Sequence, residues 1–197
     1  MPLVRRPSPH AQTPINPASL TEGPRDQRWA AVRAAAEAGD GVSLLAAALE
    51  RENDARVREA IFTGLARIAT PASAAVVVPY LRSDDASLRG GAMDALRAMP
   101  EASRPYLARL LADPDADVRL LSCELARVLP VSEASRLLCD LLERENEKNV
   151  CASAIEVLAE IGGPEALPVL ARCAERFAAD PFVAFSVKVA RDRIGRS

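Results

Sequence analysis

Residues 50–60 read ERENDARVREA, and within them Asp54 is followed three places later by Val57 and then by Arg58. The same grammar returns as Asp85-Ala-Ser-Leu88-Arg89 and as Asp115-Ala-Asp-Val118-Arg119. It weakens to Glu147-Lys-Asn-Val150-Cys151 and to Asp180-Pro-Phe-Val183-Ala184. With the apolar residue of each unit as an anchor, Val57, Leu88, Val118, Val150 and Val183 are separated by 31, 30, 32 and 33 residues. Small or apolar residues then recur at offsets 3, 4, 7, 8 and 11, as Ala60, Ile61, Gly64, Leu65 and Ile68 in the first unit. The fifth unit keeps the pattern with one charged exception, Arg191. Steps of three and four mark one stripe of an α-helix. A shorter apolar segment precedes each anchor, so each unit is predicted to be helix, tight turn, helix. One such pair cannot bury its stripe alone, whereas stacked pairs bury a continuous core.

Composition agrees with helices. Apolar residues make up 49% and charged residues 26%, but aromatics only 4%, so Ala, Leu, Val and Ile must build the core. Ala favours helix over strand. The stretches DARVREAIFTGLARI and DADVRLLSCELARVL resemble HEAT repeats, in the short form found in PBS-lyase-type bacterial proteins. The resemblance covers about residues 40 to 195. It implies an all-α fold, a right-handed α-solenoid of about five helix pairs whose second helices line the concave face. DQRWAAVRAAAEAG is predicted as an N-terminal capping helix, with Trp29 a capping core residue or, alternatively, a ligand contact. Residues 1–25 carry six prolines and are expected to form a disordered tail, leaving 26–197 as the repeat domain. Pro14-Ile-Asn-Pro17 matches a P-x-x-P docking pattern.

Several chemistries are disfavoured. The only histidine is His10, in the tail, which argues against His-based metal sites and a Ser-His-Asp triad. The same shortage argues against deoxyhypusine hydroxylase, a HEAT enzyme that needs several His-Glu pairs. A net charge of −2 and a single Trp argue against nucleic acid and against HEAT-type DNA glycosylases. Cys123, Cys139, Cys151 and Cys173 form no C-x-x-C pair and read as free thiols of a reducing compartment. The N-terminus lacks the apolar run of a secretory signal, and no segment is long enough to span a membrane. The expectation is a cytoplasmic protein without cofactor or metal. Arg far outnumbers Lys, which occurs only at 148 and 188; with the abundance of Ala this suggests a GC-rich bacterial genome.

The repeated motif has a structural reading. Asp54, Asp85, Asp115 and Asp180 precede second helices and suit their orphan N–H groups. Arg58, Arg89 and Arg119 lie four residues beyond their Asp and are placed to meet it on one face. The resemblance implies a ladder between neighbouring repeats, ending where Cys151 and Ala184 replace Arg. A row of arginines gripping an acidic ligand is the alternative.

Function is better sought where repeats differ. Offset 5 holds Phe62, Met93, Cys123 and Ile155, read either as contact between adjacent second helices or as an apolar line along a groove for a partner segment. In the last helix Phe182, Phe185 and Val189 fall at i, i+3 and i+7, off the core stripe. They suggest a homodimer contact, a partner site or cover by the tail, unless Phe177 folds back and closes the repeat. The reading is a non-enzymatic scaffold for another protein, in a signalling or assembly complex. The alternative is a bilin-lyase-like subunit or chromophore chaperone.

Overall fold

Four of the five anchors begin a helix whose first turn is capped by the Asp three places before. The computed structural model describes residues 15–196. Asp54 accepts from the amides of Arg56 (2.9 Å) and Val57 (3.2 Å), Asp85 from Ser87 (2.8 Å), and Asp115 from Asp117 (2.9 Å). Asp180 accepts from Phe182 and Val183. Glu147, one methylene longer, makes no side-chain cap.

The eleven α-helices among the described residues are α1 (Arg25–Ala35), α2 (Gly41–Leu49), α3 (Ala55–Ile68), α4 (Pro71–Val77), α5 (Ala86–Ala98) and α6 (Pro100–Leu110), followed by α7 (Ala116–Leu125), α8 (Val131–Arg144), α9 (Lys148–Ile161), α10 (Leu167–Arg176) and α11 (Pro181–Ile194). No strand occurs among them. They pair as α2/α3, α4/α5, α6/α7, α8/α9 and α10/α11, which are the five predicted helix pairs, with α1 ahead of them. The chain divides into two compact units at Ile68/Ala69.

In the first unit α1 and α2 both pack on α3. Val32, Leu45, Val57, Ile61 and Leu65 are fully buried there. Gly64 permits this approach: a Cβ on it would stand 3.0 Å from Leu45 Cδ1 and 3.3 Å from Ala36 Cβ. The folded chain starts earlier than the predicted boundary at residue 26. Pro17–Leu20 forms a 3-10 turn capped by Asn16, and Leu20 is buried against α1 and α2. One large apolar side chain is enough to fasten this segment down despite the prolines around it. His10 and Pro14 lie outside the described residues.

In the second unit the second helices pack in series, α5 on α7, α7 on α9 and α9 on α11. First helices do likewise, α4 on α6 and α8 on α10. The fully buried layer between them holds Val77, Leu96, Leu107, Val118, Leu138 and Leu158. Thr70 and Ser73 close a capping box at the start of α4. That helix continues past Val77 only as a 3-10 turn, Val78–Arg82. Pro79 has no N–H to extend the α-helical ladder.

Candidate interaction surface

The arginines of the motif close their own turns. Arg58 Nε donates to the Glu52 carbonyl, Arg89 Nη1 to that of Ser83 and Arg119 Nη1 to that of Asp113, each at 2.7 Å and six residues back. Cys151 in the Arg place keeps this contact in weaker form, with its thiol 3.7 Å from the Glu145 carbonyl. The expected meeting of Arg with the Asp four residues earlier does not occur at Arg119. Its guanidinium turns from Asp115 to the Glu145 carboxylate of the next repeat, Nε–Oε2 2.6 Å and Nη2–Oε1 3.0 Å. Asp115 is already engaged by the helix amide, which leaves the guanidinium to the nearer buried charge.

In the first unit Arg28 grips Glu52 in the same two-pronged way, at 2.8 and 3.0 Å. Both glutamates are buried, and each also accepts two backbone amides of its own turn. Burial alone would push the Glu145 carboxyl up. The Arg119 hydrogen bonds and the Glu147 and Asn146 amides outweigh it and hold the group below the ordinary carboxylate range. Glu52 is held low in the same way, burial opposing and Arg28 with the Asp54 and Asn53 amides prevailing. Sequence reasoning missed Arg28, Glu52 and Glu145. The available signals were an Arg one period before Arg58 and an acid five places before three of the anchors, Val57, Val118 and Val150.

Offset 5 is not an open line. Phe62, Met93, Cys123 and Ile155 are 3%, 5%, 0% and 1% exposed. In the second unit, adjacent second helices cover this flank. Cys123 Sγ lies 4.0 Å from the Val150 carbonyl, and the Ser153 hydroxyl 3.5 Å from that of Leu120, so α7 and α9 run close together. Burial also pushes the Cys123 thiol up to about 12, which leaves it un-ionised.

The open strip of the second helices lies instead one residue before the anchor and two and six after it. In α11 those places are Phe182, Phe185 and Val189. Together with Ala152, Ser153 and Ala159 of α9 they line a groove of about 620 Å³ that extends to Leu120 and Glu124 of α7. Phe182 and Phe185 are 58% and 65% exposed, and Phe177, stacked under Arg176 at 5.5 Å, does not close over them. At the rim Glu124 is bound by Arg127 at 3.0 Å, whereas Glu156 has no charged partner among the described residues.

A second groove, of about 390 Å³, runs between α1 and α3 in the first unit. Trp29 lines it and is 42% exposed, with the Arg33 guanidinium 5.1 Å from its ring centre. Trp29 is therefore a surface residue and not the capping core residue expected of it. The core side of α1 is filled by Val32 and Ala35, and position 29 lies off that side.

Stacked helix pairs with capped second helices define a helical-repeat protein. Residues 18–97 and 103–181 match the family model of HEAT repeats, and the chain belongs to the HEAT-repeat family. No curated protein matches it. Among solved structures, an engineered protein is 18% identical over 92% of this chain and 97% of its own, with a TM-score of 0.45. A designed armadillo repeat protein is 17% identical over 90% and 98%, with a TM-score of 0.41. Among the described residues no helix is long and apolar enough to cross a membrane.

Proposed function

We propose that the protein is a non-enzymatic interaction scaffold of the bacterial cytoplasm, serving a signalling or assembly complex and holding a segment of a partner protein in the groove of α7, α9 and α11. The observation that carries this reading is the exposure of Phe182 and Phe185 above a floor of small residues. Two adjacent rings left in water are unfavourable for the free protein. Burying each gives roughly 1.5–3 kcal/mol to whatever covers it. Interfaces draw most of their energy from a few aromatic anchors of this kind. Ala152, Ser153 and Ala159 leave room for an incoming side chain between the rings and α9. α7 and α9 beneath are packed on both flanks and α11 rests on α9 and α10, so the groove is preformed and a partner meets little ordering cost.

A photo-crosslinking amino acid placed at Val189 should attach to a partner segment in cells, and Phe182→Glu with Phe185→Glu should abolish that product. Both rings are exposed, so the double variant should keep its helical circular dichroism. Crosslinking that persists unchanged in the double variant would sink the proposal. Crosslinking to a second copy of the chain, with a matching mass by light scattering, would identify the homodimer as the occupant.

A further inference from the structure

We propose that the groove between α1 and α3 is a separate binding site for an acidic peptide segment, one that lays an apolar side chain on Trp29 and carboxylates on Arg33 and Arg56. It is independent of the groove of α7, α9 and α11.

Arg28 and the arginines of the groove are of two kinds. Arg28 is engaged by all three of its nitrogens: it binds both oxygens of buried Glu52 and the Gly23 carbonyl at 2.7 Å. Arg33, Arg56 and Arg67 line the groove instead. Arg56 has no side-chain partner among the described residues, and Arg33 meets only the face of Trp29. Arg67 stands 3.7 Å from Glu37, with both side chains more than half exposed, a contact that water or a competing carboxylate displaces at little cost. Glu59 is the one acid in the lining and Glu37 stands beside Arg67, so three guanidinium groups stand against two carboxylates.

The floor is built for close approach. Gly64, Ala36 and Ala60 form it, and the absent Cβ of Gly64 lets Ala36 and Leu45 come close to α3. An indole face held by a stacked guanidinium is a flat apolar platform with a cationic edge. Guanidinium groups with free donors bind carboxylates through two parallel hydrogen bonds. Apolar platform and free arginines together select a segment with Asp or Glu beside an apolar residue, and disfavour basic segments.

Trp29 is the only Trp of the chain, so the indole fluorescence of the whole protein reports this groove alone. A random peptide display library panned on the full chain, and counter-selected on the Arg33→Glu, Arg56→Glu chain, yields the probes. The selected peptides should be net acidic, should change Trp29 emission saturably and should weaken with salt. Affinity should fall about tenfold or more in Arg56→Glu, by a smaller factor in the milder Arg56→Gln, and not at all in Phe182→Glu with Phe185→Glu. Three results would each overturn the proposal. No peptide distinguishes the two chains; those that do are neutral or basic; or a single-stranded oligonucleotide moves the emission while the acidic peptides do not.

Discussion

Arg119→Ala is expected to destabilise the second unit by about 3–5 kcal/mol, because it strands a buried carboxylate. The Glu145 side chain is 4% exposed and that of Arg119 14%, so water cannot replace the two lost hydrogen bonds. The Asn146 and Glu147 amides remain on Glu145 but carry no net charge. Removing both partners, as Arg119→Met with Glu145→Leu, should restore most of the loss, since the cost lies in the unpaired charge. Acid provides an independent check. In the wild type the Glu145 and Glu52 carboxyls are held low by folding. Their stabilisation is complete above the unfolded value of about 4.3 and is lost as pH falls through the lower folded values. In Arg119→Ala, burial is no longer offset by the guanidinium, and Glu145 is relieved by taking up a proton. The gap between wild type and variant should therefore narrow as pH drops through about 4, read as urea midpoints at each pH. A gap independent of pH would assign the loss to packing of the arginine stem.

The same pair shows where a sequence stops being legible. Asp54, Asp85 and Asp115 could be assigned as caps because a cap and the amides it binds lie within three residues of each other. The core stripe was equally readable, since five in-phase copies fix one face of each second helix. Arg28 and Glu52 stand 24 residues apart and Arg119 and Glu145 stand 26 apart, and such a bond depends on how neighbouring repeats are stacked. Arg28 was further hidden because Gln27 occupies the anchor place before it and Pro24, unable to cap with a side chain, the place of the Asp. Phe182, Phe185 and Val189 could be found because three apolar residues in one helix violate its own polar face. Trp29 could not be placed, because a single aromatic on an Ala-rich helix fits the core side and the open side of the wheel equally well.

Ile155→Ser should cost about 3–5 kcal/mol, adding the loss of a buried aliphatic side chain to the burial of a hydroxyl. On the wheel of α9 this residue lies well off the core stripe, which is why offset 5 reads as open surface when one helix is considered alone. In the second unit, however, α7 and α9 are each covered on three sides: by their own first helix and by the second helices before and after them. α9 lies against α8, α7 and α11, and Ile155 is 1% exposed as a result. Met93→Ser should behave like Ile155→Ser, and Phe62→Ser should show the same effect in the first unit, where its unfolding is a separate transition if the two units melt independently. Phe185→Ser is the contrasting variant: at 65% exposure it should change stability by no more than about 0.5 kcal/mol. Urea denaturation followed by circular dichroism distinguishes the two kinds of position. An Ile155→Ser midpoint equal to that of the wild type would mean that the flank of α9 is open. In that case the interaction surface would have to be redrawn along offset 5. A large loss instead confines partner contact to the strip one residue before the anchor and two and six after it, where repeats with the same core carry different side chains.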